Sequence, residues 1–281
     1  MDLLKGKVAV VTGATAGIGL DVVRAFVREG ATVVLAGRRR PEGEEAARVL
    51  GPTASFLPVD VSHETEVADL LHRTVTRHGR LDVLVNNAGS PSHLSGIEHV
   101  DAEDFRATQE VNLMGALYGI KHAAAHLRRQ GTGGSIINMA SITGERVVYA
   151  GVAYSVSKAA LINLTKWAAA ELGRHDIRVN SISPGFISTA RFGKAAGVTE
   201  AQARGRLDAL AAYAREQAGS MQALPRPGSG DDVAGAAVYL AGEASSYVTG
   251  HNLVVDGGLS LGQPFEAMRS IREAMAGIFQ D

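Results

Sequence analysis

Short apolar runs alternate with helix-length amphipathic segments along most of this chain. Lys7–Thr12, Thr32–Ala36, Ala54–Pro58, Leu81–Asn86, Ser135–Met139, Ile177–Ser183 and Asn252–Asp256 read as strands. Between them, Gly17–Glu29, Pro41–Leu50, Glu64–Arg77, Ala102–Arg129, Ala153–Arg174 and Asp231–Leu240 read as helices. Proline opens the second helix, where its missing N–H has no helical partner to lose. The long fourth helix is expected to break near Asn112. This alternation predicts an α/β fold: a doubly wound parallel sheet of about seven strands with helices on both faces. Two segments depart from the rhythm. One is an insertion at about 188–227, where Thr199 with Gln202 fits a capping box and Leu207, Leu210, Ala211, Ala214 and Ala218 form an apolar stripe. The other is a tail at about 259–281, where Met268, Ile271, Met275 and Ile278 recur at helical spacing. There is no internal repeat, low-complexity tract or linker, so residues 1–281 are expected to form one domain.

Composition narrows the function. Hydrophobic residues at 46% suffice for a sizeable core, and 20% charged residues argue against disorder. A formal net charge of -1 gives no field to recruit nucleic acid or an anionic membrane. With no cysteine, disulfides, thiolate catalysis and Cys-ligated metal are excluded. The N-terminus lacks the apolar stretch of a signal peptide, and no segment approaches the ~20 apolar residues that cross a bilayer. A soluble, cytoplasmic protein is expected. His122 and His126 have the i, i+4 spacing of a metal pair, but neither an HExxH motif nor a third ligand accompanies them. They are read as a surface or packing pair, and no metal is expected.

Three features carry chemistry. Gly13, Gly17 and Gly19 sit between the first strand and the first helix. Glycines there allow positive φ and close backbone approach, and the helix start offers N–H groups to a pyrophosphate. The spacing is GxxxGxG rather than GxGxxG; its position between strand and helix points to a Rossmann-like dinucleotide site. The second strand runs into Gly37, Arg38, Arg39 and Arg40. An acid is common here to bind the ribose 2′-OH of NAD. Gly37 offers none, and Arg38 suits the 2′-phosphate of NADP; Arg39 and Arg40 are read as a solvated turn. The third feature is Tyr154 with Lys158, one helical turn apart and on one face. A free phenol has a pKa of roughly 10, and a neighbouring cation lowers it toward the range of an acid–base catalyst. Asn86–Gly89 and Ser141 close strands four and five at the edge where ligands bind in open α/β sheets.

With these motifs in order, the chain resembles the short-chain dehydrogenase/reductase family over roughly Lys5 to Gly258. The resemblance rests on TGxxxGIG, Asp60-Val61, NNAG at Asn86–Gly89, Asn112, Ser141, the Tyr154/Lys158 pair, and Pro184-Gly185 with Ile187 and Thr189. It implies a catalytic set of Asn112, Ser141, Tyr154 and Lys158. Tyr154 would be the acid in carbonyl reduction and the base in alcohol oxidation. Ser141 would bind the substrate oxygen, Lys158 would hold the nicotinamide ribose and tune Tyr154, and Asn112 would anchor a water of the proton relay. The implied cofactor set is Gly13, Thr15, Gly17, Ile18, Gly19, Gly37, Arg38, Asp60, Val61, Asn87, Ala88, Gly89, Tyr154, Lys158, Pro184, Gly185, Ile187 and Thr189. Asp60 would face the adenine, Asn86 and Gly89 the adenosine side, and Ile187 and Thr189 the carboxamide. The chain departs from the family habit of NADP enzymes at Ala16, where a basic residue often precedes the second motif glycine.

The resulting expectation is an oxidoreductase that moves a hydride between NADP(H), with NAD(H) as the alternative, and a ketone or secondary alcohol. A 3-oxoacyl-carrier-protein reductase and a non-catalytic nucleotide sensor or scaffold are the rival readings. Ile142, Val148, Tyr149, Phe186 and Phe192 are expected in the substrate pocket, with Ser188–Met221 as its lid. Arg146 and Arg191 are read as surface salt-bridge residues, with contact to an acidic substrate as the alternative, and His93 as a loop histidine, with a place at the pocket mouth as the alternative. The segments Leu113–Leu127 and Ala160–Leu172 are apolar on more than one side. A helix covering a sheet needs one apolar face, so a homotetramer or homodimer through these helices is expected.

Overall fold

The computed structural model describes residues 2–147, 150–187 and 205–278. Its strands are β1 (Val8–Thr12), β2 (Thr32–Gly37), β3 (Ala54–Pro58), β4 (Val83–Asn86), β5 (Gly134–Met139), β6 (Ile177–Pro184) and β7 (Asn252–Val255). Its α-helices are α1 (Gly17–Arg28), α2 (Arg40–Leu50), α3 (Glu64–His78), α4 (Ala102–Gln109), α5 (Gly115–Gln130), α6 (Val152–Leu172), α7 (Leu207–Met221), α8 (Gly230–Ala241) and α9 (Phe265–Ile278). Each expected strand and helix of the alternating pattern forms, with bounds shifted by no more than two residues. The long fourth helix does break at Asn112: a π-turn over Glu110–Met114 separates α4 from α5.

The strands form one sheet in the order β3-β2-β1-β4-β5-β6-β7, every neighbouring pair parallel. Side chains alternate across it, as a period of two demands. Ala9, Val11, Val33, Leu35, Val83 and Val85 face a core shared with Val22, Phe26, Val233 and Leu240 of α1 and α8. Val10, Val34 and Leu84 face the opposite core, shared with Leu70 and Leu71 of α3, Ile120 and Leu127 of α5, and Ala168 and Leu172 of α6. Burial on both faces explains why these strands read as continuous apolar runs. The winding reverses between β1 and β4, and a crevice opens there beyond the carboxyl ends of the strands.

Both apolar helix surpluses lead to solvent. On α6, Leu161, Ala168 and Leu172 are buried, while Val156 and Trp167 are exposed, Trp167 at 67%. On α5 and the turn before it, Leu113, Met114 and Leu117 are only half-buried. The tail forms the expected helix, and Met268, Ile271, Met275 and Ile278 all stand exposed on α9. In the insertion, Ala218 of α7 is buried; the side chains of Leu207, Leu210, Ala211 and Ala214, and the Thr199/Gln202 capping box, lie outside the described residues. Among the described residues, no helix is long and apolar enough to cross a membrane.

Candidate active site

The first helix sets one end of the site. Gly13 has φ +64°, and a Cβ there would meet Ala88 Cα at 2.7 Å. A Cβ on Gly19 would collide with Asn87 Nδ2 and with Gly13 O. Only glycine at 13 and 19 lets the turn press against the end of β4. Hydrogen bonds hold that contact. Asn87 Nδ2 donates to Thr12 O at 2.8 Å and Gly13 O at 3.1 Å, and Thr12 Oγ1 accepts from the N–H groups of Asn87 and Ala88 at 3.0 and 3.1 Å.

A cleft of about 280 Å³ opens over this turn. Gly13, Thr15, Gly17, Ile18, Gly19, Gly37, Arg38, Asp60, Val61, Asn87, Ala88 and Gly89 all line it, twelve of the expected positions. Arg38 Nη1 lies 3.6 Å from Asp60 Oδ2. Burial works against the charged form of Asp60, yet hydrogen bonds from Ser62 and the Arg38 guanidinium prevail and hold its carboxyl below the ordinary value. Two readings are corrected. Arg39 is not a solvated turn residue: it lines the cleft and donates from Nε and Nη2 to Thr15 Oγ1 at 3.1 and 2.9 Å. Asn86 does not reach the adenosine side. Its amide is buried below the cleft, donating to Asn138 Oδ1 at 2.9 Å and Ala116 O at 3.3 Å.

A second cleft of about 150 Å³ adjoins the first, sharing Ile18, Asn87 and Pro91. Ser141, Tyr154, Lys158, Pro184, Gly185 and Ile187 line it, as expected. Tyr154 and Lys158 share one face of α6, with the Lys158 ammonium 5.4 Å from the phenol ring centroid. Lys158 is 3% exposed and donates to Met139 O, at the end of β5, at 2.7 Å. Ser141 follows that strand, and its Oγ accepts from Thr143 N at 3.2 Å. Among the described residues, the Tyr154 hydroxyl bonds to none, leaving it available to a substrate oxygen.

Asn112 lies behind this wall rather than in it. It is 1% exposed, accepts from Ser90 N at 2.6 Å, and donates to Ser90 O at 2.9 Å and Ser157 Oγ at 3.0 Å. Ser157 Oγ in turn donates to Tyr154 O at 2.7 Å. The π-turn thus directs Asn112 at both the β4–α4 loop and the first turns of α6. π-Turns within helices are frequent at functional sites.

Of the expected substrate-pocket residues, Ile142 is buried in the interior and Phe186 lines neither cleft. Val148, Tyr149, Thr189, Arg191 and Phe192 lie outside the described residues. His93 is exposed, while its neighbours Ser92 and Leu94 line the second cleft. Ser92, Thr143, Ala150 and Gly151 are lining residues that no motif marked. Among the described residues, Thr143 Oγ1 is buried without a hydrogen-bond partner. His122 Nε2 lies 3.0 Å from Glu64 Oε1, and His126 Nδ1 accepts from Arg129 at 3.1 Å.

The first cleft fits a dinucleotide. Gly13, Gly17 and Gly19 line its floor without side chains, so a pyrophosphate can approach the backbone there. The α1 N-terminus carries no side-chain cap and no acid in its first turn, so its N–H groups and the positive end of its dipole are left for an anion. Arg38 and Arg39 stand at one end, and the second cleft joins the other.

Comparison with known proteins agrees. A family model described as Enoyl-(Acyl carrier protein) reductase matches residues 13–260. Momilactone A synthase of Oryza sativa subsp. japonica is 41% identical over 265 residues, covering 92% of this chain and 91% of that protein. L-fucose dehydrogenase of Oryctolagus cuniculus is 41% identical over 268 residues, covering 95% and 89%. The crystal structure of a short-chain type dehydrogenase/reductase from Mycobacterium marinum superposes with a TM-score of 0.79 at 34% identity, covering 91% of this chain and 96% of that one. The chain therefore belongs to the short-chain dehydrogenase/reductase family and is an oxidoreductase.

Proposed function

We propose that this enzyme interconverts a ketone and a secondary alcohol reversibly, with NADP(H) preferred over NAD(H) and Tyr154 as its general acid and base. The observation that carries the reading is the convergence of Ser141, Tyr154 and Lys158 on one cleft that adjoins the glycine-floored cleft. A bound nicotinamide supplies or accepts the hydride. The protein does the rest. In reduction the Tyr154 hydroxyl gives its proton to the carbonyl oxygen, and in oxidation the phenolate takes the alcohol proton. Ser141 donates a hydrogen bond to the same oxygen and fixes its place. The Lys158 ammonium, held against Met139 O, stabilises the negative charge that develops on the phenol oxygen.

Cofactor preference follows from the end of β2. Gly37 puts no carboxylate against a 2′-phosphate, and Arg38 and Arg39 offer two guanidiniums at the cleft. The half-covered apolar faces of α5 and α6 support a homotetramer, or a homodimer, with those helices at the subunit interface. We assign one domain to residues 1–281 and a cytoplasmic location to the enzyme.

A 3-oxoacyl-carrier-protein thioester is the second substrate class; the matching family model, described by an enoyl-(acyl carrier protein) substrate, shares the carrier and not the reacting group. The name of one relative, L-fucose dehydrogenase, points instead to a free small-molecule substrate. The test is the absorbance of reduced nicotinamide across free ketones, secondary alcohols and a 3-oxoacyl thioester, with both cofactors. We expect turnover of free ketones that is faster with NADPH, and its loss in Tyr154→Phe while cofactor binding persists. Near-normal turnover by Tyr154→Phe would refute the mechanism; preference for the thioester would replace the substrate class.

A further inference from the structure

Ser92 stands where the β4–α4 loop meets the helix that carries Tyr154. Its Oγ accepts a hydrogen bond from Tyr154 N–H at 3.0 Å. The residue at the N-cap of α6, Gly151, provides no side-chain cap. Ser92 therefore supplies from a distant loop what a capping serine supplies locally. The approach is close: a Cβ on Gly151 would lie 2.5 Å from Ser92 Oγ and would also strike His93 O. The loop itself is held two residues earlier by the paired bonds between Asn112 and Ser90. Ser92 thus has a fixed position, and it lines the second cleft with Ser141 and Tyr154.

A serine hydroxyl has one donor and two acceptor sites. The Tyr154 N–H takes one acceptor site, and no described residue accepts the Ser92 proton. Besides its polar residues, the described lining of the second cleft includes the apolar neighbours Pro91, Leu94, Ala150 and Gly151. A hydroxyl with unused capacity beside apolar neighbours favours a ligand oxygen over a methylene. We propose that Ser92 recognises a second, uncharged oxygen of the substrate. The substrates are then ketones and secondary alcohols that also carry a hydroxyl, carbonyl or lactone oxygen away from the reacting carbon. The separation follows from the geometry. Ser92 meets the backbone end of Tyr154, whereas the reacting oxygen meets the phenol end. This inference rests on the reaction proposed above and adds the group that orients its substrate.

The test compares decalone with a hydroxydecalone whose hydroxyl lies on the ring remote from the ketone. Each is assayed with wild type, Ser92→Ala and Ser92→Thr. Both ketones use the same Tyr154 and the same cofactor. Any disturbance of the α6 start therefore cancels in the ratio of their kcat/KM values, a readout that a purely structural serine does not move. Wild type is expected to favour the hydroxydecalone by about tenfold, what one neutral hydrogen bond in a desolvated site supplies. Ser92→Ala brings the ratio to about one, chiefly through KM, and Ser92→Thr restores it. A ratio near one in wild type, or an unchanged ratio in Ser92→Ala, overturns the proposal. The wild-type ratio decides by itself should Ser92→Ala fail to fold. Inactivity of wild type on both decalones and on every free ketone and secondary alcohol of the panel overturns the parent reaction as well, whereas turnover with a flat ratio overturns the role of Ser92 alone.

Discussion

Replacing Asn112 tests whether its three hydrogen bonds hold the catalytic helix to the loop beside it. Asn112→Ala removes the bonds to Ser90 N, Ser90 O and Ser157 Oγ. At about 1 kcal/mol each, the loss is about 3 kcal/mol, a substantial part of the ~5–15 kcal/mol that typically separates folded from unfolded chains. Water cannot readily replace these bonds where the residue is 1% exposed. Asn112→Asp is the sharper variant. A carboxylate still accepts from Ser90 N, but it has nothing to donate to Ser90 O and sets a negative charge against that carbonyl. Although nearly isosteric, it should destabilise at least as much as alanine at neutral pH. Burial and the facing carbonyl hold the new carboxyl above its unfolded value. Its penalty is therefore present above that value and fades as pH falls, when the protonated acid regains a donor. Urea melts of both variants at neutral and mildly acid pH measure this. Asn112→Asp should recover toward wild type on acidification and Asn112→Ala should not. Turnover should fall about a hundredfold in either, the scale of a small misplacement of reacting groups. Wild-type stability of Asn112→Asp at neutral pH would refute the role given to these bonds.

Other positions give separate tests. Gly19→Ala gains about 1 kcal/mol of helix propensity but forces a methyl against Asn87 Nδ2 and Gly13 O, an overpacking that costs about 1–3 kcal/mol. Because two hydrogen bonds hold that amide, overpacking should win, lowering the melting temperature and weakening NADPH binding by calorimetric titration; a stabilised variant with intact binding contradicts it. Thr143→Val removes a buried hydroxyl that has no partner among the described residues and should stabilise the protein by about 1 kcal/mol in urea melts, where a loss would show that Oγ1 is hydrogen-bonded. Asp232 caps α8 with Ser229 and pairs with Arg226, whose hydrogen bonds hold its carboxyl well below the usual value of 3.8. Its contribution is present above that value and disappears as pH falls through the lowered one. Asp232→Asn should thus be less stable than wild type by about 1 kcal/mol at neutral pH, with the gap closing in strong acid; a gap independent of pH would assign the effect to packing.

The site was only partly legible in the chain. Lys158 reaches Tyr154 because a helical turn fixes the pair locally, and the glycines at 13 and 19 carry their own backbone requirement. Asn86 and Asn87 are adjacent in sequence yet serve different surroundings, since neighbours at a strand end point opposite ways. One enters a buried network with Asn138, and the other braces the glycine turn. Arg38 and Arg39 pose the same ambiguity, resolved by the reach of Arg39 to Thr15. Ser92 gave no signal at all, because a serine in an aperiodic loop looks like any other.

Apolar periodicity and turn chemistry by themselves determined the layered α/β architecture, the strand succession and the catalytic helix, because each acts between residues close along the chain. Which polar side chains meet in the clefts, which merely brace them, and which apolar faces stay uncovered were decided by tertiary structure. Those outcomes depend on strand register and on contacts between segments distant in sequence, such as Ser92 with Tyr154 and Asn112 with Ser90.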